Sequence, residues 1–349
     1  MIMKKKIIIG YTNSKNEEKR VAKELYDYFI NIKDIDVEML DFSSCFYILD
    51  NKNILKKIYS LFSKQNNIYT DTHIQKSIKE YKPNIIITTN NLIDHLINYY
   101  ISINLTKCKI INIVCDIQIN NLNNKYSNAN YYIVNNKVIK NKLISKGIPN
   151  KKIIVAGTPT YNLDKINIEN KELTLKKYSL DNNKPIYLML ANGHSYTYEY
   201  FRALTKKEFN INIIFVSGKN KELKDKCEEY IFENNIKNVL ILGYIKDLYN
   251  LYNISDVIIT KPGTSTLIEC MNFKKPTILL PGVSIDENKN LKFMIKNHLS
   301  VKVTTPNDLI KKVRLSINYK FIIKSTQNKL MKLESYNSYK IIYELIKKL

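Results

Sequence analysis

Short runs of apolar residues alternate with amphipathic stretches along almost the whole chain. In the first half these runs cover residues 6–10, 84–89, 109–116, 131–134 and 152–157. In the second half they cover residues 186–191, 211–217, 239–243, 257–260 and 277–280. Helix-like segments separate the runs, and one of them, VIKNKLISKG, ends at Gly147. Short β-branched runs that alternate with helices predict parallel strands in sheets covered on both faces.

A polar, turn-rich stretch, residues 158–184, separates the two arrays of predicted strands. A length of 349 residues also fits two domains better than one. We therefore predict an α/β protein of two Rossmann-like domains, residues 1–160 and 161–327. The last helix, about residues 328–349, is expected to pack back on the first domain.

The formal net charge of +23 raises the question of nucleic-acid binding. The excess is spread evenly, with 24 Lys and Arg against 13 Asp and Glu in residues 1–160, and 31 against 19 in residues 161–349. An even excess indicates a compositional bias toward lysine rather than one basic face, and the chain has no nucleic-acid-binding motif. No nucleic-acid partner is expected, although the charge favours an anionic membrane surface.

Membrane and redox signals point to a cytoplasmic protein. No apolar run approaches the ~20 residues that span a bilayer, and the N-terminal residues turn polar too soon for a secretory signal. Residues 52–65, KNILKKIYSLFSKQ, have the spacing of an amphipathic helix, which either faces a membrane or packs on the core. The five cysteines lack Cys-x-x-Cys spacing, which argues against a disulfide framework and a zinc site. Neither a metal nor a cofactor is expected.

Glycines mark the ends of several predicted strands. Of the eight in the chain, five follow strands of the second half: Gly193, Gly218, Gly243, Gly263 and Gly282. Each by itself fits a tight turn. Because ligands bind at the carboxyl ends of strands in open α/β sheets, the repetition favours a binding crevice.

The stretch TKPGTST, residues 260–266, has the chemistry of an anion-binding loop. Gly263 allows close approach of the backbone, and Thr264, Ser265 and Thr266 offer hydroxyls and first-turn N–H groups to a diphosphate. One helical turn further on, Glu269 could accept both hydroxyls of a ribose. A solvated glutamate on the helix surface is the alternative for Glu269.

The longer stretch TKPGTSTLIECMNFKKPTILLPG resembles the donor-site signature of the monogalactosyldiacylglycerol synthases and processive diacylglycerol glucosyltransferases, and more distantly that of the peptidoglycan N-acetylglucosaminyltransferase. FVSGKNKELKDKCEE and VLILGYIKDLYNLYNISDVIITKPG resemble further segments of this family. IVCDIQ and the stretch from ANYYIV to AGTP resemble the end of its N-terminal domain.

The resemblance implies a GT-B fold, in which the parallel sheets of the two domains face an interdomain cleft and the C-terminal domain binds a uridine diphosphate sugar. Tyr244 and Ile245 would line the uracil pocket, and Glu269 would hold the ribose. Glu287 and Asn290, in DENKN, match the family's sugar-contacting stretch, although Asp286 replaces its Gln. The remaining predicted donor-site residues are Gly193, His194, Gly218, Lys219, Asn220, Lys261, Gly263, Thr264, Ser265 and Thr266.

The N-terminal half departs from the family pattern. Its first loop, GYTNSKNEEKR, lacks the glycines and the histidine of the family, and residues 88–91 read TTNN in place of Thr-His-Pro. The loop ANGHS keeps Gly193 and gains His194. The other histidines, His73, His95 and His298, fit surface or core roles better than catalysis.

The resemblance thus implies an inverting glycosyltransferase that moves a sugar from a UDP-sugar to a lipid or lipid-linked hydroxyl at the inner face of the cell membrane. Lys261, Lys219 and helix N-termini would offset the charge of the leaving diphosphate without a metal. The missing histidine leaves open a catalytically silent GT-B protein that binds a nucleotide sugar or a partner.

Asp116 is the predicted general base. It ends the run IINIVCD and matches the family's Asp after the corresponding strand. A carboxylate that loses water when the domains close would have a raised pKa and could take the acceptor's proton. An aspartate after a strand also often caps the next turn, so a structural role stays open.

Overall fold

The computed structural model describes residues 4–13, 16–46, 72–117, 128–160, 168–246, 248–319 and 321–349. The chain forms two compact units, Met1–Asp164 with Tyr336–Leu349, and Lys165–Ser335. Residues 52–65, the predicted amphipathic helix, lie outside the described residues. Among the residues that are described, no helix has both the length and the apolar character to cross a membrane.

The first unit contains a six-stranded sheet in the order β2-β1-β3-β4-β5-β6, in which all neighbouring strands are parallel. Its strands are β1 (Lys5–Tyr11), β2 (Ile35–Asp41), β3 (Ile85–Thr88), β4 (Lys109–Ile113), β5 (Tyr131–Val134) and β6 (Ile153–Val155). Its helices are α1 (Asn16–Phe29), α2 (Thr72–Tyr81), α3 (Asn91–Ser102), α4 (Lys137–Ser145) and α13 (Ser338–Lys348). Short 3-10 turns cover Ser43–Phe46 and Asn150–Lys152.

Successive side chains of β1 enter two different cores, as alternation along a strand requires. Ile7 and Ile9 pack with α1 and α13 on one face of the sheet, whereas Ile8 packs with α2, α3 and α4 on the other. All three isoleucines are buried. A strand buried on both faces reads as an uninterrupted apolar run, which is why the sequence predicts these strands correctly.

The last helix, α13, belongs to the first unit. Ile342 and Ile346 are buried in the core on the α1 face of the sheet. Lys5 Nζ donates to the carbonyl of Ile346 at 2.9 Å, and Ser338 Oγ donates to the carbonyl of Ala156 at 2.7 Å. These bonds join segments that are hundreds of residues apart in sequence.

The second unit contains another parallel six-stranded sheet, in the order β9-β8-β7-β10-β11-β12. Its strands are β7 (Ile186–Leu190), β8 (Asn212–Val216), β9 (Val239–Leu242), β10 (Val257–Thr260), β11 (Thr277–Leu279) and β12 (Ser300–Lys302). Its helices are α5 (Lys171–Lys177), α6 (Thr197–Thr205), α7 (Lys221–Glu233), α8 (Tyr249–Ile254), α9 (Thr264–Asn272), α10 (Ile285–Lys296), α11 (Pro306–Asn318) and α12 (Phe321–Met331).

Both sheets have a switch point, where the order of the strands reverses. It lies between β1 and β3 in the first sheet and between β7 and β10 in the second. At such a point the two crossover connections leave in opposite directions, so the loops after the two strands open a crevice. The prediction of two parallel, Rossmann-like α/β sheets is confirmed.

All ten predicted apolar runs contain strands. The structure has two further strands, β2 and β12, that the sequence analysis did not predict. Each of these two lies at an outer edge of its sheet. The sequence of β2, IDVEMLD, places acidic residues between apolar ones, and β12 is only three residues long. Edge strands bury less surface, so their apolar signal is weaker. The predicted helix end at Gly147 is present, with φ of 91° at that glycine.

Candidate functional site

The loop after β10 leads directly into α9 at the switch point of the second sheet. Gly263 is the N-cap of α9, and its carbonyl accepts the N–H of Leu267 at 3.0 Å. Among the described residues, a Cβ atom added to Gly263 would meet only Lys261 Cε, at 3.9 Å, and the φ of Gly263 is −68°. Neither strain nor packing within the protein therefore requires this glycine. Its lack of a side chain leaves room beside the first-turn N–H groups of Thr264, Ser265 and Thr266.

Lys261 joins two other predicted donor-site residues. Its Nζ lies 2.7 Å from Glu287 Oε1 and 2.7 Å from His194 Nε2. The side chains of Lys261 and Glu287 are only 14% and 12% exposed, so solvent screens their attraction less than at a surface pair. Because an ammonium group can only donate, Nε2 of His194 accepts and the imidazole proton is assigned to Nδ1.

The pKa values of the two partners of Lys261 follow from this contact. Burial lowers the pKa of His194, and the nearby Lys261 lowers it further against the opposing effect of Glu287. Burial opposes ionisation of Glu287, but hydrogen bonds from Lys261 and the N–H of Val283 outweigh it and lower the pKa of that carboxyl. At neutral pH the cluster therefore holds a neutral imidazole and an ionised carboxylate.

The N-terminal turn of α10 braces the loop after β10. Glu287 Oε2 accepts the N–H of Val283 at 2.8 Å, so both its oxygens have partners. Asn290 Nδ2 donates to the carbonyl of Pro262 at 3.1 Å and to Thr264 Oγ1 at 3.0 Å. The two predicted sugar-contacting residues thus lie beside the predicted diphosphate loop, although Glu287 and Asn290 are 26 residues or more from their loop partners in sequence.

The loops after β7 and β8 meet at the same edge of the sheet. Gly193 and Gly218 have φ of 78° and 72°, which favours glycine at both positions. A Cβ atom on Gly218 would lie 3.2 Å from the backbone N of Gly193, so the two loops approach closely. Asn220 caps α7 through its Oδ1 and donates from Nδ2 to the carbonyl of Gly193 at 3.1 Å. A structural role for these three residues is thus visible, and their contact with a donor stays a prediction.

The predicted uracil pocket lies after β9, at the outer edge of the sheet. The ring of Tyr244 is exposed, and Lys219 Nζ lies 5.2 Å from its centroid. Ile245 is partly buried against the core beneath. An exposed aromatic ring beside an apolar side chain offers a stacking surface for a flat base.

Glu269 is buried, with 3% of its surface exposed, so the alternative of a solvated surface glutamate is wrong. The hydroxyl of Tyr252, from α8, donates to Glu269 Oε2. Its predicted contact with ribose stays a prediction. Sequence reasoning missed Tyr252, because its apolar spacing in α8 marks it as an ordinary core residue. It also missed Tyr196, whose ring centroid lies 6.1 Å from that of His194 and whose hydroxyl donates to the carbonyl of Pro281 at 3.0 Å.

Asp116 lies three residues beyond the end of β4 in the first unit and is half-buried. Its assignment as general base stays a prediction. His95 lies on α3 and is half-buried, whereas His73 and His298 are exposed. Among the described residues, no group of three or more His, Cys, Asp or Glu side chains is arranged to hold a metal ion.

Two protein families match separate parts of the chain. Residues 10–160 match the model of monogalactosyldiacylglycerol (MGDG) synthase, and residues 198–338 match that of the glycosyltransferase family 28 C-terminal domain. The first match covers most of the first unit. The second covers the strands β8 to β12 and the loops between them, and it begins after the loop that holds Gly193 and His194.

Two relatives match over most of the chain. The processive diacylglycerol beta-glucosyltransferase of Bacillus subtilis (strain 168) is 25% identical over an alignment of 369 positions, gaps included, which spans 99% of this chain and 95% of the relative. The enzyme of the same name from Bacillus pumilus (strain SAFR-032) is 25% identical over 334 residues, covering 88% and 86%.

Solved structures share the fold at lower identity. The MurG structure from Acinetobacter baumannii has a TM-score of 0.64 at 14% identity, with 99% of this chain and 100% of MurG covered. The UDP-GlcNAc 2-epimerase from Neisseria meningitidis, bound to UDP-GlcNAc, has a TM-score of 0.66 at 15% identity, with 99% and 100% covered. At these identities the likeness concerns the fold.

Proposed function

We propose that this protein transfers a sugar from a UDP-sugar to a lipid hydroxyl, because its first half matches the model of monogalactosyldiacylglycerol synthase and its second half that of the glycosyltransferase family 28 C-terminal domain. The acceptor we favour is diacylglycerol or a sugar already linked to it, since the two relatives that match most of the chain are processive diacylglycerol glucosyltransferases. The transfer inverts the anomeric configuration, because one displacement by the acceptor oxygen replaces UDP.

The observation that carries this proposal is the cluster at the switch point between β7 and β10. Lys261 and the first turn of α9 lie beside each other, and α10 braces them through Glu287 and Asn290. Bond cleavage at the sugar leaves negative charge on the β-phosphate of UDP. A lysine and helix N–H groups, held in place before the reaction, stabilise that charge.

The other predicted donor residues complete the proposal. Tyr244 and Ile245 would receive the uracil, Glu269 the ribose, and Glu287 and Asn290 the sugar hydroxyls. A fixed carboxylate with both oxygens bonded can accept sugar hydroxyls only at its remaining lone pairs, which narrows the orientations of sugar that fit.

We also propose that the transfer needs no metal ion, since Lys261 supplies positive charge at the diphosphate loop and Lys219 supplies it beside Tyr244. Rates measured with and without a chelator test this directly. Equal rates agree with the proposal, whereas a loss that added Mg²⁺ or Mn²⁺ restores would contradict it.

We propose that the protein acts as a peripheral protein at an anionic membrane surface on the cytoplasmic side. Support comes from the lipid acceptor of its relatives and from the net charge of +23. A Lys56→Glu/Lys57→Glu variant should sediment less with anionic vesicles than the parent, because each lysine near the surface contributes about 1 kcal/mol. Equal sedimentation would exclude residues 52–65 as the contact.

The decisive experiment combines purified protein, a panel of UDP-sugars and vesicles that contain diacylglycerol. Mass spectrometry of the lipids should show a glycosylated product with one donor of the panel, and the same donor should raise the thermal unfolding temperature. Binding of UDP-sugars without any transfer would instead support a catalytically silent protein.

A further inference from the structure

A buried carboxylate lies at the switch point of the first sheet, where the loops after β1 and β3 meet. Glu18, in the first turn of α1, is only 6% exposed. Thr12 Oγ1 donates to Glu18 Oε2 at 2.7 Å, and Asn90 Nδ2 donates to the same oxygen at 2.9 Å. The two loops are also joined by the N–H of Thr89, which donates to the carbonyl of Gly10 at 3.1 Å.

The surroundings of Glu18 hold its side chain in one orientation. Asn90 is the N-cap of α3, and its Oδ1 accepts the N–H of Leu92 at 2.8 Å. That bond turns Nδ2 of Asn90 toward Glu18, so the donor is in place before any ligand arrives. Thr12 is itself buried and receives a weaker bond from Asn90, at 3.3 Å. Ordering a carboxylate in a shielded position is costly, and proteins do so chiefly where it has a function or a structural partner.

We propose that Glu18 is the general base of the transfer, an inference that rests on the proposed function. The acceptor's O–H bond breaks and its proton passes to the Glu18 carboxylate. The oxygen forms a bond to the anomeric carbon of the sugar, and the bond from that carbon to the β-phosphate oxygen breaks. UDP leaves with the electron pair, and Glu18 later returns its proton to water.

Position distinguishes Glu18 from Asp94 and Asp116, two other acids of this edge. Asp94 is fully buried and accepts bonds from Thr88 and from Asn112, the latter at 2.8 Å, which fits a role in holding β3, β4 and α3 together. Asp116 follows β4, one strand away from the switch point. Ligands of open α/β sheets bind at the switch point itself, which is where Glu18 lies.

The first test is Glu18→Gln, which keeps an oxygen that can accept from Thr12 and Asn90 but cannot take a proton. Its kcat for glycolipid formation should fall ~100-fold or more. Its Kd for UDP and its unfolding temperature should stay near the parental values, because the donor residues lie in the second unit. Glu17→Gln, one residue away on the same helix, is the matched control and should keep near-parental kcat.

The second test separates a base from a structural carboxylate by changing the acceptor. A diacylglycerol analogue with a thiol in place of the hydroxyl ionises far more readily, since a thiol is several pKa units more acidic than an alcohol, as the pKa of about 8.5 of the cysteine side chain illustrates. It therefore needs little help from a base, and the loss in Glu18→Gln should shrink to less than ~10-fold. If Glu18→Gln folds poorly, Glu18→Asp keeps the charge and should show the same dependence on the acceptor, with a smaller loss.

The assignment would be overturned if Glu18→Gln lost the same factor in kcat with both acceptors. It would also be overturned if Glu18→Gln kept a near-parental kcat with the hydroxyl acceptor. The assignment would also be wrong if Asp116→Asn, and not Glu18→Gln, lost kcat with the hydroxyl acceptor while keeping it with the thiol acceptor. A parental protein that transfers no sugar at all would overturn the proposed function and this assignment with it. If the parent is active and Glu18→Gln keeps a near-parental kcat, only the assignment of Glu18 is overturned and the proposed function stands.

Discussion

In both units the strand order reverses once, and in both the loops at the reversal carry a buried or shielded charge. The second sheet holds a cation there, Lys261, which is paired with an ionised carboxylate. The first sheet holds an anion, Glu18, which accepts from a hydroxyl and an amide. The same topology thus presents opposite chemistry. A cation suits a departing diphosphate, whereas a carboxylate suits the acceptance of a proton.

The two edges also differ in how their charges are compensated. Lys261 contacts a partner of opposite charge, so the loss of either member leaves an uncompensated charge in a shielded place. Two neutral groups, the hydroxyl of Thr12 and the amide of Asn90, donate to Glu18, so its conversion to glutamine removes a charge and keeps an acceptor for both. Substitutions at the second edge should therefore change both stability and activity, and Glu18→Gln should change activity alone.

The largest effect is expected for Lys261→Met, which keeps the aliphatic part of the side chain and removes the charge. The kcat for transfer should fall by about 100- to 1000-fold, as when one preorganised group is lost from a developing anion. Initial rates of glycolipid formation measure this. Lys246→Met, an exposed lysine after β9, is the matched control. A Lys261→Met rate within a few-fold of the parent would contradict the role assigned to the cation.

The same variant sharpens the comparison through its stability. Lys261→Met should also lower the free energy of unfolding by about 1 to 3 kcal/mol, because Glu287 loses its charged partner. The double variant Lys261→Met/Glu287→Gln removes the lone charge and should recover part of that stability without recovering activity. Recovery of both would mean that Lys261 acts through stability only.

An intermediate effect is expected for Glu269→Ala. Loss of a carboxylate that accepts from ribose hydroxyls should weaken UDP binding by about 1.5 to 3 kcal/mol, measured by calorimetric titration. Tyr252→Phe is the control, because it removes only the hydroxyl that donates to Glu269. It should lower stability by about 1 kcal/mol and leave the Kd of UDP within a few-fold. An unchanged Kd in folded Glu269→Ala would remove Glu269 from the donor site.

The smallest effect concerns pH. The pKa of His194 is lowered in the folded protein, so the unfolded chain binds more protons as pH falls below about 6.5. The contribution of neutral His194 to stability is therefore present above that pH and is lost as pH falls toward the folded pKa. The slope from this one group is at most about 1.4 kcal/mol per pH unit.

Thermal unfolding of the parent and of His194→Gln between pH 7.5 and pH 5.5, roughly one unit to either side of the ordinary histidine pKa, measures this difference. The variant should lose less stability over the interval. His298→Gln, at an exposed position after α10, serves as the control and should behave as the parent. If the unfolding temperatures of the parent and His194→Gln depend on pH in the same way, the pKa of His194 is not lowered in the folded protein.

Much of the fold was predictable from local sequence, because strands buried on both faces need long apolar runs. The donor loop was predictable for a similar reason, since Gly263 and its three hydroxyl neighbours are contiguous. The resemblance also placed His194, Glu287 and Asn290 in the donor site, but their contacts with the loop were not predictable. His194 and Lys261 are 67 residues apart, and nothing in the sequence near either residue indicates the other. The edge strands β2 and β12 were missed because an edge buries too little surface to require a continuous apolar run.

The sequence by itself determined the two parallel α/β sheets and the residue types at the ends of their strands, since hydrophobicity and turn chemistry act over a few neighbouring residues. Only the tertiary structure decided which strand ends lie side by side. Glu18 and Asn90 are 72 residues apart and become partners because β1 and β3 are neighbours in the sheet. Strand order depends on how crossover helices pack on each face, and that packing energy is shared by many distant residues rather than held in any short stretch.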